Sequence, residues 1–122
     1  MPGQASPFYL ANKDCDVRTI QLTAPVEAGY AVGYNGGLAI AGQSMQGISR
    51  QSGIAGDYIA CTTSNTASAI VGAAVTSGQD LAIGAGGKLV PAVAGNKIVA
   101  SALSDSAANL FITVEIKPEG TK

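Results

Sequence analysis

The clearest pattern in the chain comes near its end, where Leu110, Ile112, Val114 and Ile116 alternate with Phe111, Thr113, Glu115 and Lys117. A period of two with the apolar set on one side predicts a strand that buries Leu110, Ile112, Val114 and Ile116. Residues 18–24 repeat the pattern more briefly, with Ile20 and Leu22 set against Thr19, Gln21 and Thr23, until Pro25, which cannot donate to a central ladder. Turn chemistry adds two hairpins. Tyr30-Ala31-Val32 and Leu38-Ala39-Ile40 flank Gly33-Tyr34-Asn35-Gly36-Gly37, whose Asn-Gly step supplies the positive φ of a tight turn. Leu81 and Ile83 face Leu89 and Val90 across Gly84-Ala85-Gly86-Gly87 in the same way. Further short strands are predicted within residues 54–63, 67–75 and 97–103, with Ser64-Asn65-Thr66 as a polar turn and residues 104–109 as a connection of at most one helical turn. No window repeats apolar residues at helical spacing for three turns free of Gly and Pro. The pattern predicts an all-β fold, a small β-barrel or β-sandwich of about seven to nine strands. Residues 1–16 have no period, contain Pro2, Gly3 and Pro7, and carry one apolar cluster, Phe8-Tyr9-Leu10. They read as an extended N-terminal arm preceding a single β domain over residues 17–122.

A length of 122 residues fits one domain. Ile, Leu, Val and Phe make up 28 of 122 residues, about 23%, while Ala supplies 21 and Gly 16. That is enough for a core, although a small-grained one. Charged residues are 12% of the chain, half the ordinary ~25%. Ala and Gly are poor strand formers, so their abundance in a strand pattern points to close contacts made in an assembly. A net charge of −1 and a pI near 5.1 provide no basic field for nucleic acid or anionic lipid. The small apolar run at residues 69–75 falls far short of the ~20 residues that span a bilayer. The N-terminus shows neither an early positive charge nor a long apolar run, so a soluble product that stays where it is made is expected. Cys15 and Cys61 either pair or remain two reduced thiols; the residues leave both open.

Candidate chemistry is sparse. Histidine is absent, which removes the commonest general base and metal ligand. Asp14 and Asp16 flank Cys15 but no second group of oxygen ligands accompanies them, and calcium takes six to eight. Glu27, Asp57, Asp80 and Asp105 stand apart beside Gly or Ser, where turn duties account for them. The glycines at 84–87 lead into the strand-like Lys88-Leu89-Val90-Pro91, so they lack the helix N-terminus that a phosphate loop needs. No catalytic residue, metal or cofactor is expected. The residues predicted to touch a partner are Phe8, Tyr9 and Leu10, whose adjacency sends them to opposite sides of an extended backbone, and Arg50 as an exposed rim cation.

Two family resemblances bear on function. Ser49-Arg50-Gln51-Ser52-Gly53-Ile54-Ala55 resembles the Arg-Ser-Gly-Leu-Ala phosphate motif of trimeric dUTPases, and Asp57-Tyr58 a later one. In this sequence Gln51 interrupts the Arg-Ser pair, and Ala31 in Gly29-Tyr30-Ala31 replaces the acid of the family's substrate motif. A wider resemblance, over residues 23–116, is to bacteriophage capsid decoration, or cement, proteins. It rests on the order of several pieces: Thr23-Ala24-Pro25-Val26-Glu27-Ala28-Gly29 with Val32-Gly33, then Met45-Gln46-Gly47-Ile48, then the hairpin Ala73-Ala74-Val75-Thr76-Ser77-Gly78-Gln79-Asp80-Leu81 with Gly86-Gly87-Lys88-Leu89-Val90-Pro91-Ala92, and last Ala100-Ser101-Ala102-Leu103 with Leu110-Phe111-Ile112-Thr113-Val114-Glu115-Ile116. The resemblance implies a non-enzymatic structural protein on the outer surface of a phage head. Its implied partners are the major capsid protein and further copies of itself in a trimer or other symmetric cluster, with no nucleic acid and no membrane. Dimer or trimer, and the face that meets the capsid, stay open. The alternative reading is the dUTPase-like nucleotide hydrolase.

Overall fold

The computed structural model describes residues 17–121. The expected arm, with Phe8, Tyr9, Leu10 and Cys15, lies outside the described residues.

Among the described residues nine strands follow one another: β1 (Val17–Gln21), β2 (Ala31–Val32), β3 (Gly47–Ser49), β4 (Tyr58–Thr62), β5 (Asn65–Ile70), β6 (Asp80–Ile83), β7 (Leu89–Pro91), β8 (Lys97–Ala102) and β9 (Phe111–Thr121). They form a four-stranded sheet in the order β1-β4-β3-β2 and a five-stranded sheet in the order β5-β9-β8-β6-β7, with every strand pair antiparallel. The all-β expectation therefore resolves into a sandwich-like pair of sheets. Among the described residues the one helical element is a 3-10 turn, Ala85–Gly87, and no helix is long and apolar enough to cross a membrane.

The sheets share their main core. Ile48, Ala31 and Met45 from the four-stranded side meet Leu81, Ile83, Val99, Ile112 and Val114 from the five-stranded side. Parity explains a second, smaller cluster. Ile48 is paired with Thr62, so Cys61 and Ile59 alternate onto the opposite face of β4, where Ile20, Leu22, Val26 and Val32 cover them. Residues 22–26 wrap over this face, held by Leu22 N–H to Asp57 O at 2.8 Å and Val26 N–H to Gly53 O at 3.0 Å. A sheet covered on both faces has no alternation to show, and β3 is buried at all three positions.

The predicted hairpin at 81–90 forms as β6 and β7, with Ile83 opposite Leu89. Its counterpart at 30–40 closes through Gly33 N–H to Gly37 O at 2.8 Å, but its second arm contributes only a bridge from Val32 to Leu38. The connection at 104–109 contains no helical turn and is tied back by a bridge from Val75 to Ser106. One expected core residue is corrected. Leu110 is 54% exposed, whereas Ile112 and Val114 are buried and Ile116 packs against the core. The reason is Asn109, whose left-handed backbone (φ 65) ends the connection and leaves Leu110 ahead of β9 rather than in it.

Candidate binding groove along an open strand edge

β5 is an edge strand, and its outer side borders a groove of about 530 Å3. Thr66, Ala67 and Ser68 of β5 form one lip, Ser49, Arg50 and Thr62 face them from the other sheet, and Phe111 and Thr113 of β9 extend the floor. The short segment Ala28-Gly29 closes one end. It is fixed from both sheets: Gly29 N–H donates to Ser49 O at 2.8 Å, and Gly29 O accepts from Ile70 N–H at 3.0 Å. Ser49, itself buried, braces the same turn by donating from Oγ to the carbonyl of Glu27 at 2.5 Å and accepting from Tyr30 N–H at 3.3 Å.

The backbone of β5 alternates in direction, and two hydrogen bonds fix the phase. Val71 N–H points towards β9, donating to Leu110 O at 3.0 Å, whereas Ile70 N–H points away from it, to Gly29. With a period of two, Ser68 directs its N–H and C=O the same way as Ile70, into the groove. No backbone group among the described residues meets Ser68 there. The side chains around it mix hydroxyls (Thr66, Ser68, Thr113), a half-exposed aromatic ring (Phe111) and one guanidinium.

Arg50, expected from the sequence to be an exposed contact cation, lines this groove. Its backbone is anchored by N–H to Ala60 O at 2.9 Å, its side chain is exposed, and it makes no ion pair among the described residues. The three aromatic and aliphatic contact residues predicted with it, Phe8, Tyr9 and Leu10, lie outside the described residues. A second cleft of about 350 Å3 lies elsewhere, between Arg18 at the start of β1 and Ile116 and Lys117 of β9.

Among the described residues no carboxylate lines the β5 groove. The acids that sequence reading assigned to turns are engaged there: Asp57 accepts from Ile54 N–H at 2.9 Å and Asp105 from Ser77 N–H at 2.7 Å. Asp80 lies 3.7 Å from Lys117. Among the described residues no three His, Cys, Asp or Glu side chains come together as metal ligands. Cys61 is a free thiol with no exposed surface, and burial pushes its pKa up from 9.0 to about 11. The groove as such was not visible in the sequence. Alternation marks Thr113 as outward-facing, whereas Asn65 and Thr66, expected in a polar turn, lie in β5; only the fold sets these residues opposite Arg50.

No protein-family profile matches the chain, and no curated protein matches it. Among solved structures, the N base of the head fiber gp8.5 of bacteriophage phi29 has the same fold, with a TM-score of 0.71 at 17% sequence identity. The match covers 84% of this chain and 94% of that one.

Proposed function

We propose that this chain is a structural protein of a bacteriophage head, a β-sandwich module that attaches to the outer surface of the shell and bridges neighbouring capsid subunits. The supporting observation is the fold match to a phage head fiber base, which takes in 84% of this chain and 94% of that one. A shell attachment module needs shape, accessible strand edges and little side-chain entropy to lose on docking. A chain with 12% charged residues and 21 alanines meets the last requirement. The ordered resemblance to capsid cement proteins across residues 23–116 points the same way, and the proposed partner is the major capsid protein, with copies of the module clustered about a local symmetry axis.

The module carries out no chemistry in this reading. The one cation that the dUTPase-like motif offers, Arg50, shares its groove with hydroxyls and, among the described residues, no acid, so a nucleotide bound there would find no described carboxylate to hold magnesium or activate water. Two measurements test the proposal. Purified protein mixed with phage heads stripped of accessory proteins should co-sediment with them and add density on the outer surface in electron micrographs; failure to bind any shell of its own phage sinks the reading. Incubation with dUTP and magnesium should release no pyrophosphate, and turnover that disappears in Arg50→Ala would replace the structural assignment with the hydrolase.

A further inference from the structure

We propose that Asn35-Gly36, at the tip of the first hairpin, is a site of spontaneous succinimide formation whose rate is set by opening of the turn. In that reaction the backbone nitrogen of Gly36 attacks the side-chain carbonyl carbon of Asn35. An N–Cγ bond forms, the nitrogen gives up its proton, and the Asn35 side-chain nitrogen leaves as ammonia. Water then opens the cyclic imide at one of its two carbonyls, giving aspartate or isoaspartate at position 35. Glycine favours the attack because it has no Cβ to hinder the nitrogen. The chain contains one Asn-Gly pair.

Four hydrogen bonds govern how fast the reaction runs here. Gly37 N–H donates to Asn35 Oδ1 at 3.0 Å, and negative charge gathers on that oxygen when Cγ is attacked, so the folded turn activates the electrophile. It restrains the nucleophile. Gly36 N–H donates to Gly33 O at 3.1 Å and must give up that bond before the nitrogen can lose its proton. Thr23 holds the turn from the far side, donating from its N–H to Gly36 O at 3.1 Å and from Oγ1 to Asn35 O at 2.9 Å. Asn35 itself is exposed, so water reaches it. Loosening of residues 33–37 alone, with both sheets intact, suffices to release the nitrogen.

The two products differ in consequence. Aspartate keeps an oxygen for Gly37 N–H and adds a negative charge beside Tyr34 and Ile40, which line the same hollow of about 280 Å3. Isoaspartate routes the main chain through the side chain and so inserts a methylene before Gly36. Gly36 has no room to absorb it, since it holds φ at 89° and even a Cβ there would lie 2.8 Å from Gln21 O. The Thr23 bonds that hold the turn against the chain just after β1 are then lost.

The test incubates the full chain in mildly alkaline buffer, native and in urea, and follows position 35 by peptide mapping with mass spectrometry. Conversion is expected in the native chain, slower than in urea by about tenfold or more, the factor for an opening that costs ~1.4 kcal/mol. Asn65, Asn96 and Asn109, each followed by a residue with a side chain, should stay intact in the native chain over the same period. Thr23→Val deletes the hydroxyl bond to Asn35 O and should speed native conversion several-fold, whereas Ile112→Val, which weakens the core, should leave it unchanged. Should Thr23→Val fail to fold by circular dichroism, hydrogen exchange replaces it: the Gly36 amide must exchange faster than the core amides of β9, and equal protection overturns the proposal. A native chain that never converts while the urea-treated chain does so fully also overturns it. Equal rates in both conditions would mean that the turn exerts no hold, and equal acceleration by the two variants would assign the rate to global unfolding; either result overturns the proposal. Binding to phage heads is not involved, so the structural assignment and this inference can fail separately.

Discussion

The ring of Phe111 lies so close against the backbone of Gly29 that no side chain fits between them: a Cβ built on Gly29 would collide with ring atoms Cε2 and Cδ2. Gly29 also holds φ at 87°, a conformation other residues adopt only under strain. The contact ties the closing segment of the groove to β9 and fixes where the ring stands.

Gly29→Ala is therefore expected to destabilise the fold by roughly 1 to 3 kcal/mol from backbone strain, with the ring collision added. Phe111→Ala in the same chain should recover the collision but not the strain, so the two costs will not add. A double-mutant cycle measured by urea unfolding checks this, and strict additivity would mean that ring and glycine do not constrain each other.

Ile112 and Thr113 are neighbours on β9 with opposite fates, one buried in the inter-sheet core and the other exposed on the groove floor. Ile112→Ala should cost roughly 2 to 5 kcal/mol, in line with cavity-forming truncations, and Thr113→Ala well under 1 kcal/mol. Equal losses in thermal or chemical unfolding would mean that the register of β9 is wrong.

Ser101 on β8 is buried, and its Oγ has no hydrogen-bond partner among the described residues. Because an unpaired buried hydroxyl costs free energy, Ser101→Ala should leave stability unchanged or raise it by about 1 kcal/mol. A clear loss of stability in the alanine variant would reveal a hydrogen bond to that hydroxyl.

Cys61 sets a pH dependence with a definite sign. Burial raises its folded pKa from 9.0 to about 11, so between those values the folded chain holds a proton that the unfolded chain has released. Its contribution is intact below pH ~9 and is lost as pH rises towards 11, at no more than ~1.4 kcal/mol per pH unit. Unfolding curves at pH 8 to 11 should show the decline in the native chain and a flatter profile in Cys61→Val. The native thiol should also react slowly with a thiol reagent at pH 8, and rapid labelling would place Cys61 at the surface.

The legible parts of the fold were those with alternation or a glycine turn. β9 shows a period of two against a wet face, and Gly84-Ala85-Gly86-Gly87 marks the β6–β7 hairpin although Leu81, Ala82 and Ile83 are all buried. β3 has neither signal: Gly47, Ile48 and Ser49 are all buried, and a Cβ on Gly47 would crowd the Thr62 carbonyl. The second arm of the first hairpin stops short as a strand because Gly42, at φ 76, turns the chain towards Ile83 and Asn96. Leu110 was misplaced because a period of two cannot register the left-handed residue just before it. The groove was illegible for a different reason. Its lips, around residues 49–50 and 66–68, are local, but their approach depends on how one sheet lies against the other.

The position of β9 also governs how the chain can be made. β9 is the last of the described strands in sequence, yet it sits between β5 and β8, pairing with Asn65–Ile70 on one side and Lys97–Ala102 on the other. A nascent chain that has not yet released residue 111 and beyond from the ribosome therefore carries two unsatisfied inner edges, one of them some 45 residues upstream of its partner. Ribosomes stalled before Phe111 should hold a chain that a protease cuts readily, and those stalled well past Thr121 a resistant one. The five-stranded sheet closes in a single late step rather than strand by strand as synthesis proceeds.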